Sequence, residues 1–338
     1  MDLATTYLGL RLASPLIASA SPLTGEIDTI RLLEDAGAAA IVLPSIFEEQ
    51  ISQQAALTEH LVSASAESSP EAGSYFLAVA AVPPGPDAYL DLIRRARAAV
   101  GIPVIASLNG ATESGWTDYA RLIEAAGADA LELNSFFVPS DPTLDGAAVE
   151  RRHVEILRAV RRAVRIPIAV KLAPYFSAVG DLVRWLEAAG ANGFVLFNRF
   201  YQPDIDLAAL TLKRDLALST PAEIRVSLLW IGLLAGQVRG SLAASTGVET
   251  ADEVVKYLLA GADAVMTTSA LLRHGPGHMR QLLQGLTEWL QARELGTVGE
   301  IRGRLSRGRV ADPTAFERAN YMRILQGWPH RHAAPANS

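Results

Sequence analysis

The sequence predicts an α/β protein, a (β/α)8 TIM barrel, and three observations predict it. Eight short apolar runs bounded by turn residues recur along the chain. Amphipathic helical stretches separate them. An Ala-Gly-Ala triplet leads into every second run, centred on Gly37, Gly127, Gly190 and Gly261. Runs of this kind read as strands buried on both faces, the pattern of a parallel sheet. Four β-α-β units with the same entry to the second strand favour a closed barrel over an open doubly wound sheet.

In chain order the runs are Leu16–Ser19, Ala40–Leu43, Val104–Ser107, Ala130–Leu133, Ile168–Lys171, Phe194–Phe197, Ser241–Ala244 and Ala264–Thr267. Expected helices include Asp28–Ala36, Trp116–Ala126, Gly146–Val164, Asp181–Ala189 and Ala251–Ala260. Each triplet glycine suits a helix C-cap before a short αβ loop. The third and fifth strands are entered instead through Ile102-Pro103 and Ile166-Pro167. Thr5–Leu12 suits an N-terminal hairpin closing the barrel bottom, and residues 297–327 read as two extra C-terminal helices. The expected organisation is one domain over 1–327 and a loose tail over 328–338. Long connections start at the C-terminal ends of the even strands: Ser45–Asp87, Ser135–Ala148 and Asn198–Ile224.

Half of the 338 residues are hydrophobic and 20% are charged, enough for a large core. The net charge is −6 with both signs interspersed. Nothing here offers the basic footprint that nucleic acid or an anionic membrane would need. The absence of cysteine removes disulfides, thiolate metal sites and a cysteine nucleophile. No metal site is expected. Met1 to Arg11 is too polar for a signal segment, and no apolar run reaches the ~18 residues of a membrane span. A cytoplasmic protein is the expectation.

A barrel builds its site where the strands end. Those ends carry Ser19 and Ser21, Ser45, Ser107 and Asn109, Glu132 and Asn134, Lys171, Asn198, Ser245, and Thr267 to Ser269. Turns favour serine and asparagine, which accounts for any one of them. The whole set is harder to assign to turns, because several lie inside the strand runs. Lys171 stands out, as one of three lysines among 30 basic residues, at the end of an apolar strand. A buried ammonium needs a partner. Period two puts Glu132 and Asn134 on one face of the neighbouring strand, so a Glu132–Lys171 ion pair is one reading. The other is that Lys171 faces an electron-rich cofactor or a Schiff-base substrate. Ser245-Thr246-Gly247 precedes a helix with the capping box Thr250-Ala251-Asp252-Glu253, and the eighth strand ends in Thr267-Thr268-Ser269. Two such loops suit a phosphate group.

In this order the residues resemble the dihydroorotate dehydrogenase family, from about Leu3 to about Leu286. Thr6-Tyr7-Leu8-Gly9-Leu10 and Ser14-Pro15-Leu16-Ile17-Ala18-Ser19-Ala20 are similar to its first strand, whose end contacts a flavin. Leu131-Glu132-Leu133-Asn134 resembles the fourth strand, and Ala169-Val170-Lys171-Leu172-Ala173-Pro174 the fifth. Phe197-Asn198 and Gly261-Ala262-Asp263-Ala264-Val265 resemble the sixth and eighth. The resemblance implies FMN, with Lys171 beside the flavin ring. It implies Ser19, Ala20, Ser21, Ser45, Asn109, Asn134, Asn198, Ser245, Thr246, Gly247, Thr268 and Ser269 around the cofactor. There are departures. Pro44, followed by Ser45, stands where the family has a lysine. The apolar Leu77–Val82 replaces the asparagine-bearing substrate loop. Phe136 or Phe137 falls at the catalytic base, and Ser245-Thr246-Gly247 replaces a diglycine.

The resemblance implies an FMN oxidoreductase of the CH–CH type known from pyrimidine biosynthesis, with a diverged substrate. Lys171, Asn134 and Ser135 are its candidate catalytic residues, with Tyr201 and His60 as further proton acceptors. Two other readings stand beside it: a flavin-binding protein or subunit without dehydrogenase activity, and a lyase using Lys171 as a Schiff base. The expected partners are a small-molecule substrate, a separate electron acceptor and a second copy of the chain in a homodimer. No nicotinamide domain or iron–sulfur motif is evident.

Overall fold

The computed structural model describes residues 1–47, 86–109, 113–135, 137–199, 203–213 and 216–332. His60, Leu77–Val82, Phe136 and Tyr201 lie outside them, as do most of the Ser45–Asp87 loop and residues 333–338.

Eight parallel strands close into a barrel. They are β3 (Leu16–Ala18), β4 (Ala40–Phe47), β5 (Val104–Asn109), β6 (Ala130–Asn134), β7 (Ile168–Leu172), β8 (Gly193–Leu196), β11 (Ser241–Ala244) and β12 (Ala264–Thr267). The expected runs match these within a residue or two, except that β4 and β5 run on to Phe47 and Asn109. β4 continues through Pro44 by way of a register shift between Val42 and Ser45. Proline cannot donate to a ladder, and a bulge absorbs that loss. The helices Ile27–Asp35, Glu113–Ala125, Gly146–Ala163, Val179–Ala188 and Ala251–Ala260 lie where the periodicity puts them.

The triplets end helices in one geometry. Gly37, Gly127, Gly190 and Gly261 have φ between +96° and +123°. At the first, Ala38 N donates to Leu33 O at 2.9 Å and Gly37 N to Glu34 O at 2.8 Å. The other three repeat this Schellman pairing. The glutamates three residues before the first three of these glycines lace the units together. Glu34 accepts from Gly101 N, Glu124 from Arg165 N and Ile166 N, and Glu187 from Arg239 N and Gly240 N.

The N-terminal hairpin forms as expected, β1 (Thr5–Tyr7) against β2 (Leu10–Leu12). Tyr7, Leu8 and Leu12 pack into one cluster with Ala130, Ala169, Ala243 and Ala264 of the barrel strands. Small inward residues leave room for this plug. The approach is close: a Cβ at Gly193 would meet Leu8 Cδ2 at 2.6 Å and Ser241 O at 2.8 Å. A second ribbon, β9 (Asp204–Asp206) and β10 (Thr211–Lys213), rises from the connection after β8.

The C-terminal region differs from expectation. Residues 297–327 hold two 3-10 turns, Val298–Glu300 and Pro313–Phe316, and a single α-helix, Arg318–His332, which runs five residues into the expected tail. Gly303, Gly308 and Pro313 break the periodic stretch before that helix starts. Two further helices, Ser269–His274 and His278–Gln291, follow β12. Among the described residues no helix is long and apolar enough to cross a membrane.

Candidate functional site

Inward-facing residues change from alanine to polar toward the strands' C-terminal ends. On β6 the inward series is Ala130, Glu132, Asn134, and on β7 it is Ala169, Lys171. Register sets Ser45 beside Ser107, Ser107 beside Glu132, and Asn134 beside Lys171. One network results. Ser45 Oγ and Ser107 Oγ share a hydrogen bond of 2.7 Å. Asn134 Nδ2 donates to Ser45 Oγ at 3.2 Å, and Asn198 Nδ2 donates to Asn134 Oδ1 at 2.7 Å. Ser107 Oγ donates to Glu132 Oε1 at 3.4 Å.

The Glu132–Lys171 pair also forms, with Lys171 Nζ 3.5 Å from Glu132 Oε1. Glu132 is fully buried and its Oε2 has no hydrogen-bond partner among the described residues. The Tyr7 hydroxyl, rising from the plug, is likewise buried without a partner among the described residues. Burial, and then the nearby Glu132 charge, push its pKa well up. So Lys171 stands between a carboxylate inside the barrel and the cleft above it.

That cleft is lined by Lys171, Ser19, Ala20 and Asn198 on one side and by the loops after β11 and β12, Ser245–Val248 and Thr267–Ser269, on the other. Gly247 is held tightly: its φ is +74°, and a Cβ there would meet Ile224 Cγ2 at 2.6 Å and Thr220 O at 2.7 Å. Ser219 joins the two loops. Its Oγ accepts from Gly247 N at 3.1 Å and donates to Ser269 Oγ at 2.9 Å, while its N donates to the same Ser269 Oγ at 3.0 Å. Beneath them Arg273 donates to Ser219 O and pairs with Glu249. The donor set suits an electron-accepting ring at the Lys171 end and an anionic group between the two loops.

Most of the expected residues therefore gather at one mouth. Ser21 does not line this cleft; it is buried where the chain enters the 3-10 turn Pro22–Gly25. Asn109 is buried at the end of β5, outside the cleft lining. Ser135 also stands apart: it is one residue past the end of β6 and does not line the cleft. Phe137 lies under the Arg152 guanidinium, 4.3 Å from its ring centroid. Sequence reasoning missed Ser219 and His153. The box Thr220-Pro221-Ala222-Glu223, with proline at the first position, marks a helical start next to Ser219 and was the available signal. His153 gave none, being one polar residue on the inner face of a helix.

Comparison with known proteins agrees with this architecture. The family model for dihydroorotate dehydrogenase matches residues 76–290. A chain from Aeropyrum pernix assigned as dihydroorotate dehydrogenase A (fumarate) is 28% identical over 311 residues, covering 89% of this chain and 97% of that one. The dihydroorotate dehydrogenase B (NAD(+)) catalytic subunit of Thermoplasma acidophilum is 26% identical over 316 residues, covering 89% and 98%. The corresponding subunit of Listeria monocytogenes is 33% identical over 171 residues, covering 48% and 55%. The barrel, its polar mouth and the match across most of its length agree: the chain belongs to the dihydroorotate dehydrogenase family.

Proposed function

We propose that the chain is an FMN-dependent oxidoreductase acting on a CH–CH bond, with a substrate other than dihydroorotate. The observation that carries this reading is that one cleft is lined by both Lys171 and the two hydroxyl-rich loops. When bound there, FMN supplies hydride acceptance, which no side chain provides. Ser219, Thr246, Gly247, Thr268 and Ser269 would hold its phosphate. Lys171 offers an ammonium against the negative charge that accumulates on reduction. Glu132, itself hydrogen-bonded by Ser107, holds that ammonium. Asn134 and Asn198, locked to each other and to Ser45, present amides of fixed orientation to cofactor or substrate. A separate electron acceptor would complete the turnover.

Denaturing the purified protein and identifying what it releases is the test. One FMN per chain is expected. A colourless protein that takes up no added FMN would overturn the reading.

One observation favours a second reading, a flavin-binding protein without dehydrogenase activity. Among the described residues lining the cleft there is no histidine, cysteine or carboxylate to accept a substrate proton. Anaerobic titration with candidate CH–CH substrates separates the two: bleaching supports the oxidoreductase, and an inert yellow protein supports the other.

A further inference from the structure

We propose that the C-terminal arm, residues 302–332, seats the protein on an anionic lipid surface. The whole-chain charge conceals how this arm is built. Residues 302–332 carry seven arginines against two carboxylates, Asp312 and Glu317, five positive charges in excess, within a chain of net charge −6. The rest of the chain is strongly acidic by the same count. Such asymmetry marks a surface that meets a polyanion.

The arm is also apolar where it is exposed. On the helix Arg318–His332, Tyr321, Met322, Ile324 and Leu325 are 53–66% exposed. These positions share one helical face, with Asn320 and Arg323 on the other. Leu305 is 52% exposed, and Val226 and Leu229 on the helix Ile224–Leu234 are 49% and 40% exposed. A groove joins the arm to the barrel helices, its apolar walls Leu228, Leu259, Leu305 and Phe316 edged by Arg225 and Lys256. The arm is anchored to the barrel. Phe316 lies on Gly232, where a Cβ would meet its ring at 2.5 Å, and Arg307 N donates to Gly232 O at 2.9 Å. Arg307 pairs with Glu317 and Arg323 with Asp312, but all four side chains remain 45–62% exposed.

An exposed apolar stripe flanked by arginines is the composition of a helix that lies in a headgroup layer. Charge selects the occupant. Two copies of this face meeting across a twofold would set like-charged arginines together. An anionic bilayer complements both the charge and the apolar stripe.

The test is co-sedimentation of the full chain with phosphatidylcholine vesicles and with vesicles containing phosphatidylglycerol. Binding is expected to the anionic vesicles alone, weakening as salt rises. Ile324→Asp with Leu325→Asp should abolish it, and Arg318→Glu should weaken it by roughly tenfold. All three positions are at the surface, so thermal unfolding should be unchanged. Failure to bind anionic vesicles at low salt would overturn the proposal. So would equal binding to neutral vesicles, or a solution dimer that the double substitution splits.

Discussion

Lys171 Nζ stands 3.5 Å from Glu132 Oε1, and both groups are inside the barrel mouth with Glu132 fully buried. A buried pair costs most when one partner is removed, because the other charge stays behind. Lys171→Met should therefore destabilise the fold by about 3 kcal/mol, and adding Glu132→Gln should restore most of that. Chemical unfolding of the two variants measures it. The cofactor readout is separate. With FMN bound, Lys171→Met should lower the reduction potential, because the reduced form loses its counter-charge. Unchanged stability together with an unchanged potential would leave Lys171 without either role.

Ser269 tests the phosphate end with less disturbance than Gly247. Any side chain at Gly247 meets Ile224 and the Thr220 carbonyl, so flavin loss there could follow from misfolding. The Ser269 hydroxyl instead faces Ser219 across the two loops. Ser269→Asp sets a carboxylate against the phosphate and should yield protein that purifies without flavin. Ser269→Ala should weaken FMN by roughly tenfold to a hundredfold, the loss of one charge-assisted hydrogen bond. A stoichiometric yellow Ser269→Asp protein would move the phosphate elsewhere.

How far the sequence discloses this molecule follows from which forces are local. Strands buried on both faces must be apolar throughout, so β3 to β8, β11 and β12 are visible as runs. Helix ends need φ above zero, so the triplet glycines are visible too. The repeated glutamate three residues before the first three of those glycines is equally plain in the chain, but its partners lie in the next unit, 40 to 70 residues on, and only folding brings them together. Ser219 is the same case within the site: one serine among many until β8, β11 and β12 place its loop against Ser269. The charge of the C-terminal arm is visible in the sequence, yet an average over the whole chain erases it.

Dihydroorotate should be oxidised poorly. Its oxidation needs a proton acceptor beside the ring. Phe137 is engaged with Arg152, and Ser135 does not line the cleft. Losing a positioned base costs roughly 10²–10⁴-fold. Anaerobic mixing of FMN-loaded protein with dihydroorotate should bleach the flavin slowly or not at all. Rapid bleaching would mean that another group has taken over the proton.

His153 should make stability pH-dependent. It is 4% exposed on the inner face of the helix Gly146–Ala163, edge-on to Phe176 at 5.2 Å, with Nδ1 2.8 Å from Val149 O. Burial, aided by the Arg152 charge, lowers its pKa below the ordinary 6.5, and the Val149 and Ser135 backbone groups only partly oppose this. The sign follows from where the proton goes. Above pH 6.5 the ring is neutral in both folded and unfolded chains, and it contributes no pH dependence. As pH falls below that value the unfolded chain takes up a proton that the folded chain resists, so stability declines. The slope from this one group is at most about 1.4 kcal/mol per pH unit and ends at the folded pKa. His153→Gln removes the titrating ring. Its denaturant-unfolding free energy should fall less steeply between pH 7.5 and 5.5 than that of the parent, by about 1 kcal/mol over the interval. Parallel pH profiles for the two proteins would show that the ring is protonated at the same pH whether the chain is folded or not, and that its burial between Val149, Ser135 and Phe176 exacts no electrostatic cost.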